Sequence, residues 1–233
     1  MIAPGGTSVH EAPSGGGEPP EYRFWLLLIA LVALMIGYPY FENTRTGAFL
    51  GGVTALWALI GGVYVVRANR WTFGAALVLA LATAAASARA FLGGVRGDFV
   101  VEATFSAFYA LTTVVIFFEV VKTRQVTSDT MYGAICVYLL VGMTFGSLYD
   151  LIETLHPGSF QINVGTGGAA GIGWRTLIFF SFMTLTTIGL GDVTPVTTQA
   201  QSLVSIEGVM GVLYVAVLIA RVVGIYARRM SDE

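Results

Sequence analysis

The chain has 233 residues, of which 55% are hydrophobic and only 11% charged, with a mean hydropathy of +0.76. So little polar surface cannot clothe a soluble globule, which excludes a soluble enzyme domain. Its 12 Lys and Arg against 14 Asp and Glu leave a formal net charge of -2, too little positive charge to neutralise a phosphate backbone, so nucleic acid is excluded as a partner.

Residues 1–21 hold Pro4, Pro13, Pro19 and Pro20 among glycines and have little to bury, so a disordered tail is expected there. Glu11 and Glu18 make the tail acidic ahead of the first apolar run, which is not the pattern of a signal peptide. Four apolar stretches follow at 23–41, 47–66, 72–92 and 100–121, giving an expected four-helix membrane region over 22–129. Each comes near the roughly 20 residues that a helix needs to cross a hydrocarbon core of about 30 Å. A fifth stretch at 130–153 and a sixth at 200–226 flank the glycine-rich GTGGAAGIG and a shorter apolar run, WRTLIFFSFMTLT, at 174–186. That run is too short to cross and is expected to re-enter the membrane as a pore helix. The single cysteine, Cys136, lies in an apolar run and reads as a small buried hydrophobe.

Basic residues set the expected orientation. Arg23, then Arg67 with Arg70, then Lys122 with Arg124, then Arg228 with Arg229 fall at alternate ends of successive spans, hence on one side. Both termini are therefore expected in the cytoplasm, with 230–233 a short cytoplasmic end, in a multi-pass protein of a cell inner or plasma membrane. Arg45, Arg89, Arg96 and Arg175 fall toward the other side, and Trp71 and Trp174 sit at expected interfaces.

Directly after the short apolar run comes TLTTIGLGDVTP, residues 184–195. An ion leaving water needs its hydration shell replaced by oxygens, and a strand whose successive carbonyls face one axis supplies them. Turning those carbonyls to one side requires left-handed backbone at alternate residues, which Gly189 and Gly191 adopt without steric cost. Thr187 adds a hydroxyl at the inner mouth. Non-helical backbone at membrane depth survives only where protein or water surrounds it, so a pore is implied. The C-terminus of the preceding helix, near Thr186, is expected to turn its carbonyls and negative dipole end toward a cation there. One chain makes one wall of such a ladder, so closure by a fourfold homotetramer is expected.

TTIGLGD, residues 186–192, resembles the potassium-channel filter signature, whose common form is TTVGYGD. The stretches SLYDLIETLHPGSF and LYVAVLIARVVG are similar to those of six-span bacterial potassium channels without a voltage sensor. The pore resemblance covers roughly 130–229: an outer helix 130–153, a pore helix 174–186, a filter 187–192 and an inner helix 200–226. It implies an all-α membrane protein with six transmembrane helices, a re-entrant pore helix and a homotetrameric pore. It further implies K+ bound by the carbonyls of Thr187, Ile188, Gly189 and Leu190, with Gly191 completing the filter and Asp192 anchoring its outer end. Leu190 stands where the common signature has a tyrosine that bonds outward to pore-helix positions, here Phe179 and Phe180. Met183 stands where some members place a carboxylate. An apolar cuff in place of a hydrogen-bonded one suggests a filter held less rigidly than usual, since each directional bond is worth about 0.5 to 1.5 kcal/mol.

Glu207 lies about two turns into the sixth span, where an ionised carboxylate is costly, and is expected to face protein as a polar strut behind the filter, bonding Thr184 or Ser181. Gly208 and Gly211 suit either a hinge in the inner helix or tight helix packing. Below them Val212, Val215 and Ile219 share a helical face that would line an apolar cavity and inner gate. The fourth span has no arginines at three-residue spacing and carries Glu102 and Glu119 near its ends, so steep voltage gating is not expected.

His10 and His156 are too far apart to suggest a metal site. No catalytic order or nucleotide loop is present, so neither enzyme chemistry, an organic cofactor nor a ligand-binding domain is expected. The reading is a passive potassium-selective channel in the lipid bilayer. A weakly selective cation channel, which Leu190 permits, stays open beside it. So does a transporter or membrane sensor using the re-entrant segment, although transporters usually show paired broken helices and one such segment is found here.

Overall fold

The computed structural model describes residues 23–37, 70–93, 99–122, 128–163 and 172–231. The expected tail, the expected span at 47–66 and most of the GTGGAAGIG stretch lie outside the described residues. Within them are six helices, α1 Arg23–Gly37, α2 Arg70–Gly93, α3 Phe99–Lys122, α4 Ser128–Leu155, α5 Trp174–Leu185 and α6 Thr198–Ser231. Two three-residue strands, β1 Phe160–Ile162 and β2 Val193–Pro195, pair antiparallel, an element that the sequence reading did not anticipate.

Length and composition suit three of these helices to crossing a bilayer, over Glu102–Lys122, Asp129–Leu155 and Thr198–Gly224. The apolar parts of the others are shorter: Phe24–Ile36, Phe73–Ala86 and Trp174–Leu185. The chain is thus a helical membrane protein, and the segment expected as a pore helix is a 12-residue helix.

α4 is the central post, packing against α1, α3 and α5. Leu27 and Leu31 of α1, Phe108 and Ile116 of α3, and Val137, Leu140 and Met143 of α4 are buried together. Cys136 is buried too, its thiol 3.4 Å from the Phe24 carbonyl, as a small apolar side chain would be. Close approach of α5 to α4 depends on a small-xxx-small pair, Gly142 and Gly146. A methyl group at Gly142 would lie 2.6 Å from the Phe182 ring, and one at Gly146 would lie 2.9 Å from the Ile178 backbone.

One end of the bundle collects several polar ties. Asp129 Oδ1 accepts from the Phe24 N–H at 3.1 Å, fastening the start of α1 to the start of α4. At the same end Arg221 of α6 donates to the carbonyls of Val120, at 2.7 Å, and Val121, at 3.4 Å, in the last turn of α3. A guanidinium is well suited to a helix C-terminus, where unsatisfied carbonyls and the negative pole of the dipole coincide. Replacing Arg221 with Gln is expected to cost about 1.5–3 kcal/mol, the range for hydrogen bonds to charged groups. Thermal unfolding in detergent checks this, and an unchanged midpoint would mean that the tie carries no net stability.

The face of α6 turned to the rest of the chain runs through Ala200, Val204, Glu207, Gly211, Tyr214, Leu218 and Arg221, a three-four alternation. Its remaining surface is apolar and exposed, including Val209, Leu213, Val217 and Val223. In an isolated chain that surface has no cover, so lipid or further protein must meet it.

Candidate functional site

The site starts at the C-terminal end of α5, where four carbonyls have no partner within the helix. Each one is taken. The Phe182 carbonyl accepts from the Thr186 N–H at 3.0 Å and the Thr186 hydroxyl at 2.6 Å. The Met183 carbonyl accepts from the amides of Ile188 and Gly189 at 2.9 and 3.2 Å, and the Thr184 carbonyl from that of Thr187 at 2.9 Å. The Leu185 carbonyl accepts from the Tyr138 hydroxyl of α4 at 3.2 Å. These carbonyls cap the turn that follows, and the negative end of the α5 dipole lies at the start of the glycine-bearing segment. Met183 supports the following segment through its backbone.

Those bonds fix where the next carbonyls go. Among the described residues no peptide is cis, and in a trans peptide the N–H and the preceding C=O point in opposite directions. With the amides of Thr187, Ile188 and Gly189 drawn toward α5, the carbonyls of Thr186, Thr187 and Ile188 point away from it. Backbone angles alternate in hand, with φ of 60° at Thr187, 56° at Gly189 and 73° at Gly191. Glycine adopts such angles freely, whereas for β-branched Thr187 they are strained by about 1–3 kcal/mol, a cost that the three capping amides offset. The spacing of the two glycines foretold their hand; nothing local foretold that of Thr187.

Thr187 through Gly191 are exposed, Leu190 at 61%. Behind them is a cavity of about 320 Å³ whose walls include Phe180, Met183, Leu190, Val193 and Val204. Phe180 is buried and its ring belongs to an aromatic cluster, 5.6 Å from Tyr149 and 5.8 Å from Phe160. Phe179 lies on the other side of α5 and is 42% exposed. The two phenylalanines thus face different surroundings.

The outer end of the segment is tied to the two-stranded sheet. Asp192 Oδ1 accepts from the next residue's N–H, that of Val193, at 3.0 Å, and the Asp192 carbonyl accepts from the Asn163 N–H at 2.7 Å. Register pairs Phe160 with Pro195 and Ile162 with Val193, so Asn163 continues the ladder by one step. At the other end of β1, Glu153 of α4 accepts from the N–H groups of Gly158, at 2.8 Å, and Phe160, at 3.1 Å. The sheet is in this way mounted on α4.

Glu207 is fully buried where α4, α5 and α6 meet. The Ser181 hydroxyl lies 2.5 Å from its Oε1 and the Tyr149 hydroxyl 2.5 Å from its Oε2. Of the two expected partners Ser181 is the one engaged; Tyr149, not anticipated, takes the other oxygen. Seven residues on, the Tyr214 hydroxyl donates to the Ala134 carbonyl at 2.5 Å. Gly211 is buried between them, and a methyl group placed there would collide with the Leu185 carbonyl at the end of α5. A methyl group at Gly208 would meet nothing within 4 Å. α6 runs unbroken through both glycines. Val212, Val215 and Ile219 are exposed and lie off the packed face.

Residues 133–228, which contain α5, the glycine-bearing segment and nearly all of α4 and α6, match the family model described as "Ion channel". None of the curated proteins matches the chain.

Proposed function

From the match of residues 133–228 to the ion-channel family model, we propose that the chain is a potassium-selective channel conducting passively through a homotetrameric pore. The observation that carries the reading is the alternating backbone at Thr187, Gly189 and Gly191, held by amides that bond to α5 so that carbonyls face the other way. Dehydrated K+ is coordinated by the carbonyls of Thr187, Ile188, Gly189 and Leu190 and by the Thr187 hydroxyl, replacing water oxygens. One chain presents this row on an exposed edge. Three further copies supply the remaining walls and cover part of the apolar surface of α6. The inner gate is lined by Val212, Val215 and Ile219, and gating is not steeply voltage dependent, because α3 carries acidic Glu102 and Glu119 where a sensor needs a row of cations.

The test is a reversal potential in bilayers holding purified protein, with potassium on one side and sodium on the other. Wild type is expected to reverse near the potassium limit. Gly189→Ala is expected to lose that selectivity, since a Cβ at φ 56° costs about 1–2 kcal/mol in each of four subunits. A reversal near zero in wild type would favour the weakly selective cation channel. No current, with uptake of a solute by the same vesicles, would favour a transporter.

A further inference from the structure

Asn163 was not among the residues that the sequence singled out. It follows β1, and among the described residues its polar atoms make three hydrogen bonds, all to the outer end of the filter and the chain just beyond it. Its N–H donates to the Asp192 carbonyl at 2.7 Å, while its carboxamide Nδ2 donates to the Gly191 carbonyl at 3.0 Å and to the Thr194 hydroxyl at 3.2 Å. A carbonyl can only accept, so the contact with Gly191 fixes which end of the carboxamide faces it.

Two consequences meet at Gly191. Its φ of 73° continues the alternation of Thr187 and Gly189, so its carbonyl is the next candidate for the ion-facing row. That oxygen is instead held by a side chain from the sheet. The sheet does not float: Glu153 bonds it to the end of α4, and the Val196 N–H donates to the Ser159 carbonyl at 2.8 Å across its base. Leu190 lacks the hydroxyl that the common signature uses to brace this level of the filter, and Asn163 provides a polar brace one residue further out.

Resting on the potassium-channel reading, we infer that Asn163 is a positioning residue that holds the Gly191 carbonyl out of the ion column and thereby fixes where the column ends. An ion in the outermost site props the carbonyls around it. When that site empties, only bonds from the protein keep the exit in shape. The Asn163 donor therefore matters most when potassium on the exit side is scarce.

The experiment compares wild type, Asn163→Leu and Asn163→Asp in excised patches, recording current decay and reversal potential with potassium low or high on each side in turn. Both variants keep the shape of the side chain and the backbone bond to Asp192 but cannot donate to Gly191 and Thr194. Both are expected to decay about tenfold faster than wild type when exit-side potassium is low, the factor that corresponds to about 1.4 kcal/mol. At high exit-side potassium they are expected to match wild type, and changing the other side is expected to have no effect. Wild-type decay in either variant would overturn the inference. Acceleration that ignores potassium would also overturn it, since that is general damage, as would Asp behaving normally while Leu does not, since shape would then suffice. A wild type without potassium-selective current in these patches would instead overturn the channel reading itself.

Discussion

Gly211→Ala is expected to abolish conduction or to cut the yield of folded protein severely, while Gly208→Ala leaves both near wild type. The added methyl group at Gly211 would run into the Leu185 carbonyl, with the Leu185 carbonyl carbon and side chain both 3.1 Å away. Side chains give way; the last carbonyl of α5 does not. It is held by the Tyr138 hydroxyl, and the turn that follows is built on its neighbours. Overpacking commonly costs about 1–3 kcal/mol, and a collision with backbone belongs at the upper end. At Gly208 there is open space, so alanine gains about 1 kcal/mol of helix propensity at no steric cost. Thermal unfolding in detergent together with current per reconstituted protein separates the two variants. Mild and equal effects would remove the packing account and return both glycines to the role of hinge.

Glu207→Gln is expected to conduct like wild type, and Glu207→Leu to lose both stability and selectivity. Proton counting explains why. The Ser181 hydroxyl has one hydrogen and two acceptors within reach, the Gly142 carbonyl at 2.7 Å and Glu207 Oε1 at 2.5 Å. The Tyr149 hydroxyl has one hydrogen for Glu207 Oε2. An ionised carboxylate leaves three contacts sharing two protons. A neutral carboxyl completes the set by donating to Ser181, which frees the serine to bond Gly142. Glutamine reproduces that arrangement, its NH2 donating to Ser181 and its carbonyl accepting from Tyr149. Leucine leaves the Tyr149 hydroxyl buried without its partner, a penalty of about 1–3 kcal/mol at the junction of three helices. Glu207→Asp is about one methylene too short to keep both contacts. A glutamine variant that unfolds as readily as the leucine one would show that the charge, not the hydrogen-bond pattern, holds the junction.

Much of the helical layout could be read from the chain because it is encoded locally. Apolar runs set the helices, and two glycines at two-residue spacing set the backbone hand around residue 190. Glu207 stood out because one carboxyl in an apolar run is conspicuous, and Ser181 lay on the short helix beside it. The other groups that brace the site have ordinary surroundings in sequence and distant partners. Tyr149 is 58 residues from Glu207, Tyr138 is 47 from Leu185, Tyr214 is 80 from Ala134, and Arg221 is 101 from Val120. A tyrosine in a membrane helix carries no local mark of what its hydroxyl meets. β1 and β2 are three residues each, too short for an alternating pattern, so Asn163 at their end had no signature. Nothing local marked which amides would cap the α5 carbonyls, because those bonds depend on the left-handed turn at Thr187.

Glu207, Tyr214 and Arg221 stand seven residues apart on one line of α6, about 10.5 Å between neighbours at the helical rise, and each is fastened to a different part of the chain. Mechanically α6 is a rod held by three pins, the uppermost beside the filter and the lowest at the foot of α3. Swinging the free end aside strains the bottom pin first and reaches the top one last. Such a rod unfastens in sequence, and a pull on α3 acts on the pin that must go first.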